Sequence, residues 1–125
     1  MALEDLKSFT GSEHFYRHNL NRKFVYTDGV KYVAKEGGAY WLIDEIALAI
    51  AFNPALKGED FQSWTLTKTG NRDGAKLMTD DGNGNVLYTK EIEFTDFPLH
   101  EIKFFVVSAE DFGEGVMMLM LPSEY

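Results

Sequence analysis

Residues 28–67 read DGVKYVAKEG GAYWLIDEIALAIAF NPALKGED FQSWTLT, and the hydrophobic period changes within that stretch. Up to Phe52 apolar residues return every three or four positions, as on a helix; from Phe61 onward they alternate, as on a strand. Thr27 and Asp28 are suitable N-caps for a helix whose face carries Val30, Val33 and Ala34. Gly37 and Gly38 close it, because glycine enters the left-handed conformation that ends helices. A second helix, from about Ala39 to Phe52, carries Leu42, Ile43, Ile46, Ala49 and Ile50 on its main stripe. It stops at Asn53 and Pro54, and its apolar character predicts a buried central helix.

Beyond Ala55–Asp60, read as a loop, Trp64 and Leu66 face one way and Ser63, Thr65 and Thr67 the other. Gly70 to Gly74 makes a turn and Ala75 to Thr79 a short strand. Asp80 to Asn85 is the strongest hairpin signal, since Asp-Gly and Asn-Gly supply the positive φ angles that tight turns require. Strands follow over Val86–Phe94, Ile102–Ala109 and Val116–Leu121, broken by Pro98 and by the acidic turn Glu110–Gly115. The last two are apolar on both faces and belong in the interior of the sheet or under the helices. Before residue 28 the reading is helical: a short turn around Leu3 and Leu6, then a segment capped by Thr10 or Ser12 and running from Glu13 to His18. The expected fold is a single α+β domain over residues 1–125, with N-terminal helices packed on a C-terminal antiparallel sheet of about five strands.

Ten Phe and six Tyr in 125 residues give enough apolar area for one core. The absence of cysteine excludes disulfides, thiolate nucleophiles and thiolate metal sites. Glu4 and Asp5 near the start and the lack of a long apolar run argue for a cytoplasmic protein that does not enter the membrane. Net charge is −8. Such a surface repels a phosphate backbone, so no direct nucleic-acid binding is expected, and it favours a basic protein partner.

Several strings occur together in order: Phe9 to His18, Tyr26-Thr27-Asp28-Gly29-Val30, Gly38 to Ile46, Glu93 to Pro98, and Leu121-Pro122-Ser123-Glu124-Tyr125. In combination they resemble the DUF6876 family, a domain of unknown function. The resemblance implies a small bacterial protein of the kind carried by phages and plasmids, and it brings no activity or site residues with it.

Chemistry-bearing patterns are sparse. His14 and His18 stand at the spacing that places two imidazoles on one helix face, but no third ligand is evident, and Phe15 occupies the position where a zincin needs Glu. Asp81, Asn83 and Asn85 imitate the start of a calcium loop, yet Val86 and Ile92 stand at its glycine and glutamate positions. No metal or cofactor is expected, and no nucleophile elbow or phosphate loop occurs. Asp44 interrupts the apolar helix and is the carboxylate to watch, with Arg17 as its expected partner. Tyr16, Arg17, His18, Tyr26, Tyr40, Trp41 and Asp44 form the candidate binding set, rich in the residue types that dominate interface energetics. The leading expectation is a non-enzymatic module acting on a protein partner, as an accessory or counter-defence factor. The alternative is a small-ligand pocket or enzyme between helices and sheet, lined by Tyr16, His18, Tyr40, Trp41 and Asp44. A homodimer through an exposed edge near Ala75–Thr79 is the third reading.

Overall fold

The computed structural model describes residues 14–69 and 74–125. The expected turn at Leu3–Leu6, the caps Thr10 and Ser12, and most of the Gly70–Gly74 turn lie outside the described residues.

Two short strands open the fold, β1 (Phe15–Arg17) and β2 (Phe24–Thr27). Helices α1 (Asp28–Gly37), α2 (Tyr40–Phe52) and the one-turn α3 (Pro54–Lys57) follow. Then come β3 (Phe61–Lys68), β4 (Ala75–Asp80), β5 (Val86–Ile92), β6 (Glu101–Ser108) and β7 (Met117–Met120). All seven strands join one sheet in the order β1-β2-β7-β6-β3-β4-β5.

This corrects the expected architecture. The helices sit in the middle of the chain, the sheet has seven strands, and strands lie on both sides of the helical block. The segment expected as a helix from Glu13 to His18 contains β1, which pairs antiparallel with β2 through Tyr16 and Tyr26. β2 in turn lies parallel to β7, the single parallel pair among the described residues, with Phe24 opposite Met117 and Tyr26 opposite Leu119. A parallel neighbour requires a long crossover, and here the three helices and four strands, β3 to β6, supply it. Ala55–Asp60 is likewise not all loop, since α3 occupies its first residues.

The helical boundaries follow from local chemistry. Thr27 caps α1 by accepting the Val30 N–H at 3.3 Å, and Gly38 ends it at φ 63°. Asn53 stops α2 and caps α3 through the Ala55 N–H, with Pro54 at the first helical position. Both longer helices cover one face of the sheet. Val30, Val33, Leu42, Ile46 and Ile50 pack there on Phe24, Trp64, Leu77, Phe104 and Leu119. The α2 helix is buried along this stripe but not all round, because Phe52 is 82% exposed at its end.

On the opposite face Val25, Val116, Met118 and Met120 form a second apolar layer with Phe105 and Phe112. β7 is therefore buried on both faces, as its sequence suggests. β4 lies between β3 and β5, so Ala75–Thr79 is not the edge expected there; among the described residues the sheet ends at β1 and β5. Among the described residues no helix is long and apolar enough to cross a membrane.

Candidate functional site

Five of the seven candidate residues meet at one place. A cleft of about 270 Å³ is walled by Arg17, His18, Asn19, Tyr26, Tyr40, Ile43 and Asp44. It lies where the turn between β1 and β2 meets the first turns of α2.

His18 organises it. The ring is 5% exposed, and its Nδ1 accepts backbone N–H groups from Leu20 at 3.1 Å and Asn21 at 3.0 Å. A nitrogen that accepts two N–H bonds carries no proton, so the neutral tautomer has its hydrogen on Nε2. That hydrogen is donated to Asp44 Oδ1 at 2.8 Å. Asn21 adds a second tie to α2 by donating to the Ala47 carbonyl at 2.9 Å. Both imidazole nitrogens are thus committed to structure, which leaves none to shuttle a proton or bind an ion in this arrangement.

Asp44 is the converse case. Its side chain is 59% exposed, and the bond from His18 is its only one among the described residues. The expected pairing with Arg17 is not formed, because that guanidinium donates instead to the carbonyls of Arg22 and Phe112. Arg17 and His18 are neighbours in extended chain, so their side chains leave in opposite directions.

Tyr26 closes the cleft floor. Burial pushes its phenol above the ordinary tyrosine range, and nearby Tyr40, Asp44 and Tyr16 add to the effect. Tyr16 itself stands behind this wall, stacked on Tyr26 with centroids 5.6 Å apart. Its hydroxyl donates to Asp28 at 3.1 Å, and Lys31 sits over its ring at 4.1 Å. Trp41 is half-buried against the core and does not line the cleft.

Asn19 and Asn21 escaped the sequence reading, and Ile43 was read as part of the apolar stripe of α2 but not as a cleft residue. The signal present was the run His18-Asn19-Leu20-Asn21, whose Asn residues favour a turn between two β-prone segments. His14 contacts Asp28, not the site of His18, so the two imidazoles serve separate carboxylates. Asp81 spends its oxygens on N–H donors of Asn83 and Asn85, as a turn residue does. Among the described residues no group of three or more His, Asp or Glu is placed to hold a metal ion.

Three other depressions are larger: about 340 Å³ beside Ile50 and Met117, about 410 Å³ beside Leu48 and Phe52, and about 280 Å³ beside Leu99 and Leu121. None of the three gathers imidazole, carboxylate and phenols together, so volume alone does not select the site.

No curated protein matches the chain. A crystal structure of a protein of unknown function from Enterococcus faecalis is similar, with TM-score 0.56 and 24% identity over 90% of this chain and 98% of that one. At that identity the likeness concerns the fold. The family assignment is firmer, because all of residues 1–125 match one family: the chain belongs to DUF6876, a family of unknown function.

Proposed function

We propose that the chain acts as one non-catalytic DUF6876 binding domain and that its polar cleft receives a cationic side chain from a basic protein partner. The observation that carries this reading is the state of Asp44. Its Oδ1 is fixed by a buried neutral histidine, while the rest of the carboxylate stands open beside the rings of Tyr26 and Tyr40. An oriented carboxylate flanked by aromatic faces suits a lysine ammonium or arginine guanidinium. The net charge of −8 would steer such a partner inward. Within a mobile element, this domain would serve as an accessory or counter-defence factor that acts by occupying a host protein.

The small-ligand reading is the weaker one. The cleft lies below the roughly 300 Å³ at which ligand pockets usually begin, and Tyr16 and Trp41 fall outside it. A pull-down from bacterial lysate at low salt, read by mass spectrometry, tests the proposal. Wild type should retain a basic protein that Asp44→Lys releases. No protein above background, or equal retention by both forms, overturns it.

A further inference from the structure

A second surface, on the far side of α2 from the cleft, has the makings of a strand-docking groove. β5 is the last strand of the sheet, seven residues long, and among the described residues nothing pairs with its outer side. In an antiparallel ladder alternate residues turn their N–H and C=O groups away from the neighbouring strand. β5 therefore offers a row of open backbone donors and acceptors. Beside it runs a groove of about 410 Å³ between the strand and the end of α2, lined by Leu48, Ala49, Phe52, Pro54, Tyr88 and Lys90.

The groove is built, not incidental. Its floor is fixed by Tyr88, whose ring lies 5.9 Å from that of the buried Trp64. One end is tied by Lys90 donating to Glu45 at 2.7 Å. Phe52, 82% exposed, stands on its rim with no described partner ring.

Charge selects the occupant. Among the described residues Glu45, Asp80, Asp81, Glu91 and Glu93 border the edge together with Lys76 and Lys90, the latter already paired with Glu45, so acidic groups are in excess. A second copy of this chain would bring the same acidic rim against itself. A basic segment would be attracted.

We propose that β5 and α2 together receive an extended basic segment of a partner protein. The segment adds an eighth strand to the sheet and sets an apolar side chain between Leu48, Phe52 and Tyr88. Main-chain bonds give such additions their affinity, and the pocket beside the edge gives their selectivity. The surface is separate from the His18–Asp44 cleft, so either can fail without the other.

The test uses the full chain as bait for a phage-displayed random peptide library. Enriched sequences should carry Lys or Arg around one large apolar residue. A synthetic peptide of the enriched sequence should protect alternate amides of Val86–Ile92 from hydrogen exchange. It should weaken about tenfold or more with Phe52→Asp and on methylation of its own alternate backbone nitrogens. Asp44→Lys should leave this binding unchanged. The proposal is overturned if no peptide is enriched, if protection maps away from β5, or if backbone methylation has no effect. It is equally overturned if sedimentation finds a dimer whose β5 amides are already protected without peptide, which would make a second copy the occupant.

Discussion

The hydroxyl of Thr27 donates to Oε1 of Glu124 at 2.7 Å, joining the start of α1 to the last turn of the chain across 97 positions. The same carboxylate accepts the Gly29 N–H at 3.3 Å and the Leu121 N–H at 2.9 Å. A carboxylate at a helix N-terminus meets the positive end of the helix dipole and satisfies donors that have no partner within the helix. Two of the strings that carry the family resemblance, one around residue 28 and one at residues 121–125, are thus two halves of a single clasp.

Gly29 makes the clasp possible. A Cβ there would lie 2.7 Å from both Glu124 Oε1 and Leu121 Cδ1. The carboxylate cannot swing aside without breaking its three bonds. Alanine in a helix normally stabilises by about 0.5–1 kcal/mol relative to glycine. Gly29→Ala should instead lose about 1–3 kcal/mol in urea unfolding, through overpacking. Gly58→Ala, at φ −88° with open space around it, is the control and should be neutral or slightly stabilising. Equal outcomes at the two sites would refute the clasp.

The His18–Asp44 pair inverts the usual expectation about which partner is buried, and the inversion sets the ranking of variants. His18→Ala would strand the Leu20 and Asn21 N–H groups and leave a void, at a cost of about 2–4 kcal/mol. Asp44→Asn keeps an oxygen acceptor at an exposed position and should cost less than about 1 kcal/mol. Nitrogen NMR of the His18 ring should show an unprotonated Nδ1 and a protonated Nε2. The opposite tautomer would remove the hydrogen-bond scheme on which the cleft is built.

How much of this was legible in the sequence depended on how local the cause was. The ends of α1 and α2 were readable because Thr27, Gly38, Asn53 and Pro54 act within a few residues of themselves. β3 was readable from alternation, β4 and β5 from the turn residues around them, and β6 and β7 from apolar runs between breakers. β1 and β2 were not, since three and four residues hold too little period, and β2 is completed by β7 more than ninety positions later. The same error propagated into the site. Residues 13–18 were read as a helix, whereas as extended chain they send His18, not the expected Arg17, toward Asp44 on α2 and Arg17 toward Phe112. Residue type picked out five of the cleft's seven lining residues, but only tertiary pairing could say which of them touch.

Tyr26 provides an alkaline signature. Burial raises its phenol, so the folded state holds that proton more tightly than the unfolded chain. The associated stability is complete below the ordinary tyrosine value of about 10 and is lost as pH rises through the higher folded value. Ultraviolet titration should show one phenol of the six ionising late. Tyr26→Phe should abolish that late step. A late step that survives the substitution would assign the delay to another ring.

Thr79 lies buried in β4 with no hydrogen-bond partner for its hydroxyl among the described residues. An unpaired buried hydroxyl opposes folding, while its methyl group and shape favour it. Thr79→Val should therefore raise stability by up to about 1 kcal/mol, where threonine-to-valine changes at bonded sites lower it. Differential scanning calorimetry would register a higher Tm, and a clear fall would mean that the hydroxyl is satisfied.

Asp81 gives the corresponding test on the acid side. Its carboxylate accepts the Asn85 side-chain amide at 2.8 Å, the Asn83 N–H at 2.8 Å and the Asn85 N–H at 3.3 Å, closing the hairpin between β4 and β5. Those bonds favour the ionised form, the Asn85 side chain most, and hold the carboxyl below its usual range. A depressed folded value means that the contribution is present above the unfolded value and disappears as pH falls through the folded one. Carboxyl-carbon NMR should find the Asp81 midpoint below about 3.9 in wild type and moved upward in Asn85→Ala. An unmoved midpoint would show that the backbone donors alone hold the turn. Because this hairpin sets the start of β5, its loosening at low pH should appear first as faster amide exchange along that open edge.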